Sequence, residues 1–188
     1  MNILGNYRWV GVLFAGMALL WNTPTAIADS GRTEHLFTPL TLNAYTPPPA
    51  LDWDARLTLR GARIIPADVS PGQGYWRLIR ARWYDPEESD GKHHIFVDVR
   101  NTNDERQVGI PVRFFWSDDS YLTVTEAKPG EPYAANFPMY AIAPAYGAHP
   151  DDGWPADSVI GMGLGSLEYP DRTIHTSYGL VWQWTIAR

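Results

Sequence analysis

The sequence has 188 residues, a formal net charge of -6 at pH 7 and no cysteine. The absence of cysteine excludes disulfide bonds and thiolate metal sites, so packing must stabilise the fold. The acidic balance argues against nucleic acid as a partner, because binding to phosphate backbones requires clusters of Lys and Arg.

The N-terminal segment is typical of an export signal. Arg8 supplies a positive charge, residues 9–20 form an uncharged apolar run, and residues 26–28 (AIA) provide the small side chains of a cleavage site. The apolar run is shorter than the roughly 20 residues that a bilayer span needs. We therefore predict a signal peptide over residues 1–28, a secreted or cell-surface protein, and no membrane insertion after cleavage.

The segment that follows is polar and rich in proline. Pro39 and the three prolines at residues 47–49 favour an extended, stiff polyproline conformation. We predict a Pro-rich linker or strap over residues 29–55. The remaining residues, 56–188, are long enough to form one domain with its own core.

Apolar and polar residues alternate with a period of two through much of this domain, which predicts strands. In chain order the predicted strands are residues 56–65, 75–84, 93–100, 107–116, 121–126, 158–162 and 174–186. No segment carries an apolar stripe of helical period over ten residues. About seven short strands between Gly, Pro and Asp loops predict an all-β sandwich or barrel.

The two central strand patterns also predict how the domain is packed. Residues 101–105 are turn-forming by composition, so we expect a hairpin that joins residues 93–100 to residues 107–116. His94, Phe96 and Asp98 lie on one face of the first strand, opposite its apolar side chains. The predicted core consists of the apolar face of three strands: Val97, Val99, Ile110, Val112, Phe114, Leu180 and Trp182.

Five motifs are distinctive as a set. They are residues 74–79 (GYWRLI), 87–97 (EESDGKHHIFV), 135–140 (ANFPMY), 161–165 (GMGLG) and 175–178 (HTSY). With them the chain resembles, over about residues 59–185, a transthyretin-like or Cna-B-like accessory module of secreted bacterial cell-wall and polysaccharide hydrolases. The resemblance implies an immunoglobulin/transthyretin-like β-sandwich with no catalytic residues and no cofactor. The segment at residues 145–155 departs from that pattern.

Three histidines are candidate metal ligands. His93 and His94 are adjacent, so on a strand their rings point to opposite faces and do not chelate one ion without a bulge. A metal site would need His175 or the acidic loop at residues 87–90 to join one of them. The alternative is a structural, hydrogen-bonded histidine, and whether a metal binds stays open.

The segment from Tyr146 to Trp154 is the predicted ligand-binding site. It reads as a loop, and it combines two large rings with the carboxylates of Asp151 and Asp152. Rings stack on the flat faces of sugars and carboxylates accept hydroxyl hydrogen bonds, so this combination suits a polysaccharide. The alternative is that Trp154 only packs beneath the loop.

These observations favour a secreted, non-catalytic binding module for carbohydrate or cell-wall polysaccharide. Seven of the nine tryptophans follow residue 28, and we expect some of these rings to form a binding surface. The competing hypothesis is a structural or interaction protein of the cell envelope or extracellular matrix, which would bind envelope proteins through strand edges or apolar patches. A row of exposed rings with polar neighbours would favour the glycan.

Overall fold

A computed structural model describes residues 50–188 of the chain. The predicted signal peptide and most of the predicted linker lie outside these residues. The described part contains ten strands and one short helix: β1 (Asp52–Trp53), α1 (Ala55–Leu59), β2 (Arg63–Ile65), β3 (Gly74–Tyr84), β4 (His94–Arg100), β5 (Pro111–Phe115), β6 (Ser120–Val124), β7 (Ala135–Pro138), β8 (Tyr146–Pro150), β9 (Ser158–Met162) and β10 (Ser177–Ile186).

The strands form two five-stranded sheets that pack as a sandwich. Sheet A has the order β1-β3-β10-β4-β7, and sheet B has the order β2-β9-β8-β5-β6. The long strand β10 occupies the centre of sheet A, where it is antiparallel to β3 and parallel to β4. The all-β sandwich is thus confirmed, with ten strands in the described residues instead of about seven. No helix in this part of the chain is long and apolar enough to span a membrane.

The predicted core is confirmed in six of its seven positions. Val97, Val99, Val112, Phe114, Leu180 and Trp182 are fully buried between the sheets. Ile110 is only partly buried, because β5 begins one residue later, at Pro111. For the same reason Val108, on the same predicted face, is 59% exposed.

The predicted hairpin between β4 and β5 is wrong, because the two strands belong to different sheets. The turn itself forms: the amide of Asn101 donates to the carbonyl of Glu105, and one bridge joins Arg100 to Arg106. Beyond Gln107 the chain crosses from sheet A to sheet B. Both strands would have an apolar inner face whether they paired in one sheet or lay in opposite sheets. Their alternation therefore does not reveal which sheet each strand joins.

The first half of the predicted strand at residues 56–65 is instead helix α1. Asp54 caps this helix by accepting a hydrogen bond from the amide of Arg56 at 3.0 Å. Leu57 is completely buried and anchors the turn to the core. A side chain that caps a helix N-terminus satisfies a free amide, which stabilises so short a helix in this position.

Residues 146–150, predicted as part of a loop, form the central strand β8 of sheet B. Gly147 and Ala148 in this strand gave no alternation to recognise. A Cβ atom on Gly147 would lie 2.2 Å from Cζ of Phe115, so the glycine makes room for that ring on the outer face of the sheet. A strand that is covered by a side chain of the neighbouring strand, and not by its own, is difficult to predict from the sequence.

Candidate functional site

The structure separates the four residues of the predicted ligand site. Tyr146 is 7% exposed, and its hydroxyl accepts hydrogen bonds from the amides of Tyr140 and Ala141 at 2.9 and 3.1 Å. The ring of Tyr146, a predicted ligand contact, is therefore buried and offers no exposed face for stacking. Asp151 forms an ion pair with Arg113, with 2.7 Å between Oδ2 and Nε. These two side chains contribute to the framework of sheet B.

Trp154 is 54% exposed and ends a stack of three rings that we call the tryptophan ladder: Trp76, Trp184 and Trp154. Successive ring centroids are 5.0 and 5.1 Å apart in edge-to-face contact. Oδ1 of Asp152 accepts hydrogen bonds from Nε1 of Trp76 at 3.0 Å and from the amide of Trp154 at 3.2 Å. Asp152 thus holds the ladder together at one end of the sandwich.

The three histidines come together at the opposite end of β10. The ring of His93 lies 4.5 Å from that of His175 and 5.1 Å from that of His94, measured between centroids. Nδ1 of His175 is 2.9 Å from the carbonyl oxygen of Gly91. Within residues 50–188 no group of three or more His, Asp or Glu has a geometry that could hold a metal ion. Burial, followed by repulsion from His93 and Lys92, lowers the pKa of His94.

The acidic loop at residues 87–90 forms structural hydrogen bonds. Oδ1 of Asp85 accepts hydrogen bonds from the amides of Glu87 and Glu88 at 2.9 and 2.8 Å. Glu88 also accepts a hydrogen bond from Nη1 of Arg56 at 3.0 Å. The loop therefore ties α1 to the end of β3.

A depression of about 470 Å³ lies above the outer face of sheet A, and we call it the aromatic pocket. Its walls are the rings of Tyr84 at the end of β3, Phe96 in β4 and Tyr133 in the β6–β7 loop, and Ser177 of β10 lies in its floor. The alternating neighbours of these residues, Trp83, Ile95, Val97 and Tyr178, fill the core. The pocket is therefore on the opposite side of the sheet from the core.

A glycine in the floor determines how the pocket is built. A Cβ atom on Gly179 would lie 2.0 Å from Oη of Tyr133, so Tyr133 rests directly on the backbone of β10. The hydroxyls of Tyr84 and Tyr133 are 2.8 Å apart. Phe96 stacks on Tyr133, with centroids 5.5 Å apart and planes inclined by 23°, and His94 stacks on Phe96. Packed rings and one hydroxyl pair hold the walls in position.

The polar groups of the pocket are suited to hydrogen bonding. Burial, followed by the hydrogen bond to Tyr84, raises the pKa of Tyr133, so its phenol stays protonated at neutral pH. The rim includes Lys92 and Glu131. Neither side chain forms a hydrogen bond or ion pair with any residue in the described part of the chain. Both charges are therefore free to meet a ligand.

Sequence reasoning missed the three rings of this pocket. Phe96 gave a signal, since it lies on the polar face of a strand whose other face forms the core. Tyr133 gave none, because its position depends on a contact with Gly179, which is distant in the sequence. An aromatic residue on the outer face of a strand is thus the one clue that was available.

Comparison with known proteins does not add a relative: no family model matches the chain, and no curated protein or solved structure is significantly similar to it. The two-sheet β-sandwich rests on the structure itself. The resemblance to a transthyretin-like or Cna-B-like accessory module is seen only in the sequence motifs, and no matching protein supports it.

Proposed function

We propose that this protein is a secreted, non-catalytic carbohydrate-binding module that holds a sugar residue in the aromatic pocket. The observation that carries the proposal is the pocket itself, in which three rings surround hydroxyl groups and two unengaged charges. The predicted export signal and the resemblance to accessory modules of polysaccharide hydrolases support the same function.

The pocket has the chemistry that a sugar needs. Sugar rings present flat C–H faces that pack on aromatic rings, and their hydroxyls need donors and acceptors at the edges. Phe96 and Tyr133 supply the apolar surface, while the phenols, Lys92 and Glu131 supply the polar groups. Small-molecule sites range from about 300 to 1,000 Å³, so the size of the pocket suits one or two sugar residues.

Trp154 remains a candidate contact, as the sequence suggested, and it is separable from the pocket. The aromatic pocket lies at the Ser177 end of β10, whereas Trp184 of the tryptophan ladder lies seven residues further along. At a rise of about 3.3 Å per residue the two regions are roughly 23 Å apart along the strand. One sugar cannot contact both, so substitutions at each region test them independently.

A second candidate function, a structural or interaction protein of the envelope, is favoured by strand β6. This strand forms one edge of sheet B, and Tyr121, Leu122 and Val124 in it are exposed. An exposed apolar edge strand can pair with a strand of another protein. Envelope proteins would then be the partners, and the aromatic pocket would have no ligand.

Retention of the protein on polysaccharides tests the proposal. The full chain is electrophoresed through native gels that contain one polysaccharide each, and affinity is measured from the retardation. Tyr133→Ala should weaken binding about tenfold, because a stacked ring contributes about 0.5–1.5 kcal/mol beyond its buried area. Tyr121→Ala is the matched control, since it removes an exposed tyrosine from the other sheet.

Two results would decide against the proposal. If Tyr133→Ala and Tyr121→Ala bind alike to a polysaccharide that retains the parent, the pocket is not the site. If no polysaccharide retains the parent but Tyr121→Ala abolishes association with envelope proteins, the interaction hypothesis replaces the proposal.

A further inference from the structure

Three arginines extend from the aromatic pocket along the same face of sheet A. Arg82, Arg80 and Arg77 follow Tyr84 on the outer side of β3, and their partners on β10 are Gly179, Val181 and Gln183. The intervening residues Ala81 and Trp83 are buried in the core, which fixes the direction of the row. We call these three residues the arginine row. It begins about 7 Å from Tyr84, two residues along the strand.

The arginine row carries more positive charge than its neighbours neutralise. Asp52 of β1 pairs with Arg82, and its Oδ2 lies 3.8 Å from Nε of Arg80. Arg77 has no ion pair with any residue from 50 to 188. One carboxylate therefore serves two guanidinium groups and the third has none. Lys92 adds a further unpaired charge at the rim of the pocket.

Two other arginines near this face, Arg100 and Arg106, have a structural role and provide a comparison. Arg100 and Arg106 both bind the buried carboxylate of Asp98, at 2.9 and 2.7 Å. Arg106 also donates to the backbone carbonyls of Lys128 and Glu131, so it fixes the β6–β7 loop that carries Tyr133. Their hydrogen-bonding capacity is used within the fold, whereas that of the arginine row is largely unused.

We propose that the ligand is an acidic polysaccharide, with one sugar in the aromatic pocket and carboxylates of neighbouring sugars on the arginine row. This inference rests on the proposed function and specifies its ligand class. A guanidinium group binds a carboxylate through two parallel hydrogen bonds, which gives both charge and orientation. The local positive charge on this face opposes the overall negative charge of the chain.

A matched pair of polymers tests the charge requirement. Affinity electrophoresis compares polygalacturonate with its methyl ester, which has the same sugars without the charge; alginate, hyaluronate, a neutral xylan and dextran sulfate complete the set. We expect retention on at least one carboxylate polymer and at least tenfold weaker retention on uncharged polymers. Because salt screens exposed charges, binding should weaken between 50 and 200 mM NaCl, concentrations at which the Debye length falls from about 14 to about 7 Å.

Matched variants test whether the arginine row is the part of the surface that binds the carboxylates. The double variant Arg77→Gln/Arg80→Gln should weaken binding to the carboxylate polymer about fivefold, since exposed ion pairs are individually weak. Arg63→Gln removes an exposed arginine on β2 of sheet B and should leave binding within twofold of the parent. Circular dichroism and thermal melting confirm that each variant is folded.

The outcomes separate the inference from the proposed function. Equal retention on polygalacturonate and its methyl ester, or binding to the neutral xylan alone, overturns the inference and leaves the carbohydrate-binding function. Stronger retention on dextran sulfate than on every carboxylate polymer, with no effect of Tyr133→Ala, shows simple ion exchange and also overturns it. Retention on none of the polymers overturns both.

Discussion

The aromatic pocket and the tryptophan ladder lie at opposite ends of β10, and both are built by the same device. A Cβ atom on Gly74 would lie 2.4 Å from Cζ2 of Trp184, just as one on Gly179 would lie 2.0 Å from Oη of Tyr133. In each case a glycine lets a large ring pack against the backbone. A glycine beneath a large ring therefore does not by itself distinguish a binding site from a part of the core.

The two regions differ in what their polar groups do. In the tryptophan ladder, Oδ1 of Asp152 accepts hydrogen bonds from Trp76 and from the amide of Trp154. In the aromatic pocket, the charges of Lys92 and Glu131 have no partner in the described structure. Unused hydrogen-bonding capacity beside an aromatic surface is a better indication of a binding site than the exposure of a ring.

The largest expected effect tests whether the tryptophan ladder is structural. Trp76 is 4% exposed and donates to Asp152, so Trp76→Ala should cost about 3–5 kcal/mol of unfolding free energy, as should Phe114→Ala in the centre of the core. Urea denaturation measures both. A loss below about 1 kcal/mol for Trp76→Ala would mean that the ladder is not part of the core.

Gly179→Ala should weaken both binding and stability. The added methyl group overlaps the phenol of Tyr133 and forces that ring to shift, so we expect at least a tenfold loss of polysaccharide affinity and an unfolding cost of about 1–2 kcal/mol. Titration by tryptophan fluorescence and urea denaturation measure the two effects. In a Tyr133→Ala background the same substitution should have little further effect. Additive losses in this cycle would contradict the proposed clash.

Trp154→Ala is the direct comparison between the two regions. The exposed ring contacts Trp184 edge to face, and its removal should cost about 0.5–1.5 kcal/mol of stability. If the aromatic pocket is the binding site, affinity should stay within twofold of the parent. A tenfold loss of affinity without a change in the melting temperature would instead support the ligand site predicted from the sequence.

The smallest expected effect is a loss of stability on acidification. Burial lowers the pKa of His94 and of His149 in the folded protein, so the unfolded chain takes up protons first as the pH falls below about 6.5. Unfolding free energy should therefore decrease from pH 7 to pH 5. His94→Gln beside the aromatic pocket and His149→Gln on sheet B should each flatten this dependence. An unchanged pH profile in both variants would contradict the assignment.

The sequence predicted those parts of the fold that depend on one strand at a time. Alternation located β3, β4 and β5, in which residues that face the core largely alternate with residues that face outward. It did not locate β8, since Gly147 and Ala148 carry no pattern of their own and the ring of Phe115 covers the glycine. Strand pairing was also inaccessible, as the wrong β4–β5 hairpin shows.

The same limit applies to the candidate site. The sequence left open whether Trp154 faces a ligand or packs beneath its loop, and in the structure its ring is 54% exposed. Tyr146 is buried, because its hydroxyl is held by two amides across a turn that the sequence does not reveal. The aromatic pocket brings together residues from four separate segments, and such a meeting depends on tertiary packing.

The central place of β10 has a consequence for how the chain acquires its structure. Strands β3 and β4 do not pair with each other, and within sheet A only β10 joins the β1–β3 pair to the β4–β7 pair. During synthesis sheet A cannot close until the ribosome has released residues 177–186, so its formation waits for contacts of long sequence separation, which form slowly.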